Sequence, residues 1–198
     1  MKLNWAEKWV VNNPLRVLEQ RIEARWFKRA MTLEAGARCL EIGCGRGAGA
    51  RLIAETFSPF RVFALDLDIH MIRKSETYLQ PGERERISLL VGDALYLPFF
   101  DACLDAVFGF GFLHHVPDWR GALDEIARVL KPGGIYFLEE LYPALYRNMV
   151  TKRLLLHPEQ DRFRSRDLHQ ALEGRGMPIR KSLEHGKMGI LAAAVKRG

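Results

Sequence analysis

Five short apolar segments alternate with segments of helical periodicity through the middle of this chain. The apolar segments are residues 37–42, 61–65, 87–91, 104–110 and 135–138. Strands that alternate with helices at this spacing pair in parallel, because each helix crosses over and packs back onto the sheet. The pattern predicts an α/β fold with a Rossmann-like, doubly wound sheet. Ligands bind such a sheet at the carboxyl ends of its strands, so the residues that follow each strand are candidates for a functional site.

The two ends of the chain follow other patterns. Pro14 fits a helix start and Gly36 fits its end, with apolar residues at helical spacing between them. Residues 179–184 and 188–195 are two strand-like segments joined around Gly186. So tight a connection predicts an antiparallel hairpin.

Polar signals mark helix ends inside the alternating region. Asp68 and Asp118 each precede a helical segment and are predicted to cap it. Residues 131–134, Lys-Pro-Gly-Gly, are predicted to stop the helix that Asp118 starts.

A glycine-rich stretch follows the first apolar segment. Residues 40–49 are Leu-Glu-Ile-Gly-Cys-Gly-Arg-Gly-Ala-Gly. Glycines between a strand and a helix let the backbone approach a ligand closely and direct helix amides towards it. Gly43, Gly45 and Ala48 also match the dinucleotide pattern G-x-G-x-x-A. Alone, the stretch indicates a nucleotide-type cofactor, with a tight turn that binds nothing as the alternative.

Two carboxylates follow the next two strands. Asp66 lies 23 residues after Gly43 and is predicted to accept hydrogen bonds from ribose hydroxyls. Asp93, in Gly-Asp-Ala of residues 92–94, is placed to accept a hydrogen bond from an exocyclic amine. Its alternative role is a turn aspartate that bonds its own backbone.

Five motifs in order resemble the class I S-adenosylmethionine-dependent methyltransferases, in particular the methyltransferase type 11 group. They are residues 40–47, residues 64–66 with Met71, residues 92–94, residues 112–118 (Phe-Leu-His-His-Val-Pro-Asp) and residues 125–134 (Glu-Ile-Ala-Arg-Val-Leu-Lys-Pro-Gly-Gly). The resemblance covers about residues 37–140. It implies S-adenosylmethionine as cofactor and a strand order 3-2-1-4-5-7-6 with an antiparallel last strand, in agreement with the predicted hairpin.

The resemblance also implies roles for individual residues. Glu41, Gly43, Gly45 and Gly47 would hold the methionine end of the cofactor, Asp66 its ribose, Leu67 and Met71 the two sides of its adenine, Asp93 and Ala94 the adenine edge, and Phe110 the boundary with the acceptor. The sequence departs from the group at Arg46, where smaller or uncharged residues are common. Arg46 either lies over the cofactor carboxylate or points outwards.

The implied reaction is an in-line displacement at an already activated methyl group. The protein must hold the acceptor close and aligned, and it needs a general base only if the acceptor arrives protonated. His114 and His115 are the candidate catalytic residues, with a pocket-lining role as the alternative. Further candidates after the fourth and fifth strands are Asp118, Glu139, Glu140 and Tyr142. No metal site is predicted, because the histidine pair has no second ligand pair at a fixed spacing.

Charge is distributed unevenly along the chain. The net charge is +6, with +4 in residues 1–31, −5 in residues 32–140, +4 in residues 141–166 and +3 in residues 167–198. The basic flanks also carry aromatic and leucine side chains. They favour a small-molecule acceptor that is anionic or amphiphilic, lipid-like or quinone-like, or contact with a membrane surface. Packing of these segments onto the core is the alternative.

We therefore expect one methyltransferase domain over residues 1–198. Its parts are an N-terminal helical cover (1–34), a cofactor-binding core (35–140), a substrate lid (141–166) and a C-terminal helix and hairpin (167–198). The sequence has no apolar run of membrane-spanning length and no signal-peptide pattern, so a cytoplasmic location is expected, with peripheral membrane contact left open.

Three other functions compete with small-molecule methyl transfer. A basic surface permits an RNA methyltransferase, but Gly-Phe-Gly-Phe of residues 109–112 stands where a base-flipping motif would be. The dinucleotide pattern permits an NAD-dependent oxidoreductase, which the motifs at 92–94 and 113–115 disfavour. A non-catalytic cofactor-binding partner is the third. The sequence names neither the acceptor atom nor the oligomeric state.

Overall fold

A computed structural model of the chain describes residues 13–143 and 162–198. The helices of this part are α1 (Pro14–Ala30), α2 (Ala48–Phe57), α3 (Ile69–Tyr78), α4 (Pro81–Arg84), α5 (Trp119–Val129) and α6 (Ser165–Gly174), with a 3-10 turn at Leu113–His115. The strands are β1 (Arg38–Ile42), β2 (Arg61–Asp66), β3 (Ile87–Val91), β4 (Leu104–Phe110), β5 (Leu130–Leu141), β6 (Ile179–His185) and β7 (Gly189–Val195).

The seven strands form one sheet in the order β3-β2-β1-β4-β5-β7-β6. Strands β1 to β5 run parallel, and β7 is antiparallel to both β5 and β6. The predicted fold class and strand order are confirmed. The register pairs Ile42 with Leu65 on one side and with Gly109 on the other, so the carboxyl ends of β1, β2 and β4 meet at one edge of the sheet.

Two apolar clusters hold the helices to the two faces of the sheet. On one face the buried Trp119 of α5 and Tyr136 of β5 belong to the same cluster. On the other face the rings of Phe108 and Phe137 stack 4.7 Å apart, and Phe27 of α1 lies 5.1 Å from Phe137. Because aromatic rings bury large areas in fixed geometries, they hold α1 and the ends of β4 and β5 in a constant relation.

The predicted helix starts are confirmed. Pro14 is the first residue of α1, and the side chain of Asn13 accepts a hydrogen bond from the Leu15 amide at 2.8 Å. Asp68 accepts from the His70 amide at 3.0 Å and Asp118 from the Gly121 amide at 2.9 Å. Each side chain satisfies an amide that the first helical turn leaves without an intrahelical partner.

Two predicted boundaries are wrong. Helix α1 ends at Ala30, where the Met31 amide donates to the Phe27 carbonyl, and Gly36 instead takes a positive φ of +83° in the turn before β1. The helix that Asp118 starts ends at Val129, close to its predicted end, but the fifth strand begins at Leu130 and not at Ile135, because residues 131–134 form a bulge inside β5. The Gly133 amide stays bonded in this bulge, because it donates to the Lys196 carbonyl at 2.8 Å.

Parts of two predicted segments lie outside the described residues: 1–12 of the helical cover and 144–161 of the lid. The division of the chain into cover, core, lid and hairpin therefore stays a prediction. In residues 13–143 and 162–198, no helix combines the length and apolar character needed to cross a membrane.

Candidate functional site

A cavity of about 370 Å³ opens at the carboxyl edge of the parallel strands. Its wall is made by the segments that follow four of them, with contributions from α1, α3 and the turn after β4. The lining residues include 42–46, 65–68, 92–95, 110–112 and 115–117, together with Arg16, Gln20, Ala48 and Met71. The fold thus brings most of the predicted cofactor residues together in one place.

The glycine loop after β1 folds over the end of β2. The amides of Gly43 and Cys44 both donate to the Leu65 carbonyl, at 2.8 and 3.0 Å. A Cβ at Gly43 would lie 2.9 Å from the Cβ of Phe112, and φ there is +75°, so a side chain would be both strained and crowded. The loop needs glycine at this position to pass close to the cavity wall.

Asp66 joins the glycine loop to the turn after β2. Its Oδ2 accepts from the Gly45 amide at 2.9 Å, and its Oδ1 accepts from the Asp68 amide at 2.8 Å. Asp66 also lines the cavity, where a carboxylate oxygen can accept a hydrogen bond from a ligand. Asp68 also lines the cavity, but its side chain caps α3, so the ribose role stays predicted for Asp66 at the end of β2.

The structure also brings together the residues predicted to bind the adenine. Leu67, Met71, Asp93 and Ala94 all line the cavity, and Met71 is buried. Asp93 accepts a hydrogen bond from the Leu95 amide at 3.0 Å. Asp93 therefore makes the hydrogen bond expected of a turn aspartate, and it also lines the cavity. Phe110, at the end of β4, forms part of the wall as expected.

Two of the predicted cofactor residues, Glu41 and Gly47, do not line the cavity. The Glu41 side chain is buried beneath the glycine loop and accepts from the Ala50 amide of α2. Its Oε2 has no hydrogen-bond partner within residues 13–143 and 162–198. Burial, with the nearby Asp66 charge as the second cause, raises the pKa of Glu41 to about 8.

The two candidate catalytic histidines have different surroundings, although their ring centroids lie 4.2 Å apart. His115 lines the cavity, whereas His114 is buried with its Nδ1 2.7 Å from Oε2 of Glu140. Glu140 also accepts from the amides of Leu113 and His114, at 2.8 and 3.2 Å. Burial raises the pKa of Glu140 to about 8. Glu140 and His114 therefore support the turn that presents His115, and a base role for either histidine stays a prediction.

The remaining candidates lie away from the cavity wall. Asp118 caps α5, and the buried Tyr142 donates a hydrogen bond to Glu184 of β6. The guanidinium of Arg46 lies 5.0 Å from the centroid of the Tyr78 ring. Arg46 itself lines the cavity, and the two roles left open for it, over the cofactor carboxylate or pointing outwards, stay predictions.

Arg16 is a wall residue that the sequence analysis missed. Its guanidinium donates to Oε2 of Glu139 at 2.7 Å and to Oε1 of Glu23 at 2.9 Å, and so ties α1 to the end of β5. Burial raises the pKa of both carboxyl groups, that of Glu23 to about 8. Arg16, Glu19 and Glu23 recur at helical spacing, and this polar stripe was the signal that could have identified the contact.

Comparisons with known proteins agree with this geometry. Residues 40–138 match the family model described as "Methyltransferase domain". The chain is 35% identical over 136 residues to demethylmenaquinone methyltransferase of Geobacillus stearothermophilus, covering 66% of this chain and 58% of that protein. It is 30% identical over 164 residues to sterol 24-C-methyltransferase ERG6B of Gibberella zeae, covering 81% of this chain and 40% of that protein.

The chain thus spans about half the length of these two relatives. The solved structure of a SAM-dependent methyltransferase from Aquifex aeolicus superposes with a TM-score of 0.77. That match covers 98% of this chain and 99% of the other at 18% identity, so it concerns the fold.

Proposed function

The chain belongs to the class I S-adenosylmethionine-dependent methyltransferase family, and from this premise we propose that it transfers a methyl group from S-adenosylmethionine to a small apolar or amphiphilic acceptor. One observation carries the proposal: a single cavity combines the glycine loop after β1, Asp66 after β2 and Asp93 after β3. These are the positions at which such a sheet binds a nucleotide-like ligand.

The residues that line the cavity fit the ribose and the adenine of the cofactor, and Glu41, which does not line it, would act at the methionine end. Glu41 keeps a buried oxygen without a donor beneath the loop of Gly43, Gly45 and Gly47. A buried acceptor left unpaired is costly, and an ammonium group of the methionine end would supply the missing donor, directly or through water. At the other end Asp66 would accept from the ribose hydroxyls, and Asp93 and Ala94 would meet the adenine edge between Leu67 and Met71.

The cofactor, when bound, supplies a sulfonium methyl group that is already activated for displacement. The chain's own residues then have to orient the acceptor and keep water away. Phe110, Phe112 and Val116 give this part of the cavity apolar walls. His115 is the residue at the wall that would take a proton from an acceptor that carries one, and a supporting role without proton transfer fits the same position.

The acceptor we propose is lipid-like or quinone-like. Apolar walls beside the predicted methyl position favour a molecule with an apolar body. The names of two relatives point in the same direction, since one acts on demethylmenaquinone and the other on a sterol. An acceptor of this kind partitions into lipid, so we also propose peripheral contact with a membrane.

A calorimetric titration tests cofactor use. We expect S-adenosylmethionine to bind the wild-type protein and Asp66→Asn to weaken that binding about 10- to 100-fold, because a hydrogen bond to a charged group is lost. Asp93→Asn should weaken it less, since Asp93 would meet a single edge of the adenine. Asp101→Asn is the matched control: the same chemical change on an exposed side chain outside the cavity.

The titration can also contradict the proposal. No heat from S-adenosylmethionine with wild-type protein, together with binding of NADH, would favour an oxidoreductase instead. Because Asp66 also holds the Gly45 and Asp68 amides, thermal melts of each variant must show that the fold is intact. Equal weakening by all three variants would mean that the cavity is not the cofactor site.

A further inference from the structure

Helix α1 presents apolar side chains to solvent along its first half. Leu15, Leu18 and Ile22 are 66%, 54% and 59% exposed. Spaced three and four residues apart, they form one stripe on the helix surface. Single exposed leucines are ordinary, whereas large aliphatic side chains exposed next to one another are common where another molecule docks.

The polarity of this half of α1 is reversed relative to an ordinary surface helix. Such a helix turns its apolar stripe to the core and its polar residues to water. Here Arg16 and Gln20 line the cavity, and the Arg16 guanidinium pairs with Glu139 of β5. Since Ala24 and Phe27 in the second half bury the helix on the core, the reversed orientation is fixed by packing.

A row of arginines runs beside the apolar stripe. Arg21, Arg25 and Arg29 are spaced four residues apart and are all exposed. Within residues 13–143 and 162–198, no carboxylate lies within 4.0 Å of any of the three guanidinium groups. Three like charges in a row next to an apolar stripe complement a surface that is anionic outside and apolar beneath.

We propose that the outer face of α1, formed by Leu15, Leu18, Ile22, Arg21, Arg25 and Arg29, docks on an anionic lipid bilayer. The aliphatic side chains enter the boundary between headgroups and acyl chains, and the arginines extend to the lipid phosphates. The inference rests on the proposed function in one respect, the lipid-like acceptor. A helix is about 10 Å across, so docking would place the cavity one helix diameter from the bilayer that holds the acceptor.

Vesicle co-sedimentation tests the docking. The full chain is mixed with large unilamellar vesicles of phosphatidylcholine alone, or with 30 mol% phosphatidylglycerol. We expect binding to the anionic vesicles that falls steeply as the salt concentration rises, because each arginine near an anionic surface contributes about a fivefold factor in affinity. Leu15→Gln/Leu18→Gln/Ile22→Gln should reduce the partition coefficient at least tenfold.

Two matched controls distinguish binding through the outer face of α1 from nonspecific hydrophobic adsorption and from nonspecific electrostatic attraction. Phe60→Gln/Tyr96→Gln/Phe100→Gln removes three exposed apolar side chains elsewhere and should leave binding unchanged. Arg21→Gln/Arg25→Gln/Arg29→Gln should abolish the preference for anionic vesicles. Arg73→Gln/Lys74→Gln/Arg84→Gln removes the same charge from other exposed positions and should have a much smaller effect.

Three outcomes would overturn the proposal. The first is that wild-type protein does not bind anionic vesicles. The second is that the outer-face variants and their control variants lose vesicle binding equally. The third is a dimer in solution that dissociates in the Leu15→Gln/Leu18→Gln/Ile22→Gln variant, with no vesicle binding. The calorimetric titration is independent of all three. Bilayer binding without cofactor binding contradicts the proposed function, and cofactor binding without bilayer binding contradicts only the docking.

Discussion

Glu41 and Gly49 share one space at the start of α2. A Cβ on residue 49 would overlap Oε1 of Glu41 and lie 3.1 Å from the Phe110 ring. The carboxyl group is buried on all sides, so it has no room to move aside. The glycine is therefore required by packing around Glu41 and not by its own backbone angles.

The variant Gly49→Ala should be strongly destabilised. Overpacking a buried site costs about 1–3 kcal/mol, and displacement of a buried carboxyl group adds to this. We expect the free energy of unfolding, measured with urea, to fall by about 3 kcal/mol, with loss of S-adenosylmethionine binding.

Gly174→Ala is the control, because it is also helical and nothing lies within 4 Å of its added Cβ. It should be neutral or slightly stabilising. If the clash is the cause, Glu41→Ala should cost much less in the Gly49→Ala background than in the wild type. Additive losses in the double variant would contradict this account.

A buried ion-pair network attaches the first half of α1 to the sheet, in addition to the packing of Phe27 in its second half. Arg16 is the counter-ion of Glu139 on β5 and of Glu23 on its own helix, and all three side chains are at least four-fifths buried. The pair costs desolvation and is weak evidence for stability, but removing one partner leaves the other carboxyl groups buried without a counter-ion.

Arg16→Met should release the first half of α1 from the sheet. Loss of one partner of a buried pair costs about 3–5 kcal/mol, and because burial already raises the pKa of Glu139 and Glu23 and so favours their neutral forms, we expect the lower end of this range. Hydrogen exchange should show lost protection over residues 16–23, while residues 24–30, held by Phe27, keep theirs.

Arg21→Met is the matched control, since the same change on the exposed side should leave exchange rates unaltered. Unchanged protection in Arg16→Met would mean that the aromatic contacts of Phe27 alone hold the helix.

Elements whose signals are local were predictable from the sequence. Capping by Asp68 and Asp118 depends on residues within one turn, and both were identified. The bulge at residues 131–134 was missed, because Pro and Gly usually end an element, whereas here pairing with the distant β4 on either side and hydrogen bonds with Lys196 keep the strand together.

The same division applies to the candidate site. Asp66 and Asp93 are at strand ends, so topology alone brought them to the cavity. Arg16 could not be placed, because its partner Glu139 is far away in sequence and the contact depends on how α1 lies on the sheet. The burial of His114 and the packing of Gly49 against Glu41 likewise depend on tertiary contacts.

The burial of several glutamates predicts that the stability of the whole molecule depends on pH. Burial raises the pKa of Glu23, Glu41 and Glu140 to about 8, from an ordinary value of 4.5. Between these values the folded state binds protons that the unfolded state has lost. Stability therefore falls as the pH rises from 5 to 8, by up to about 1.4 kcal/mol per pH unit for each proton.

Urea unfolding at pH 5, 6, 7 and 8 should show this decline. Glu23→Gln should reduce the fall in the free energy of unfolding by up to about 1.4 kcal/mol per pH unit, which is the contribution of one proton. Glu76→Gln, on an exposed side chain, is the control and should leave the fall unchanged. The hydrogen bond with Arg128 is the chief cause that lowers the pKa of Glu125. Glu125 therefore affects stability only below about pH 4.5 and does not contribute to the change between pH 5 and pH 8. Stability that is constant or rises from pH 5 to 8 would contradict the assignment.

The position of β7 has a consequence for how the protein is made. In the sheet β7 lies between β5 and β6, but the ribosome synthesises it after both. Strands β1 to β4 can therefore pair on the nascent chain while one edge of β5 still lacks its partner. That edge includes Tyr136, Phe137 and Leu138, all buried in the finished sheet. During this interval the emerging chain presents an open apolar strand, the kind of surface on which chaperones act and from which aggregation begins.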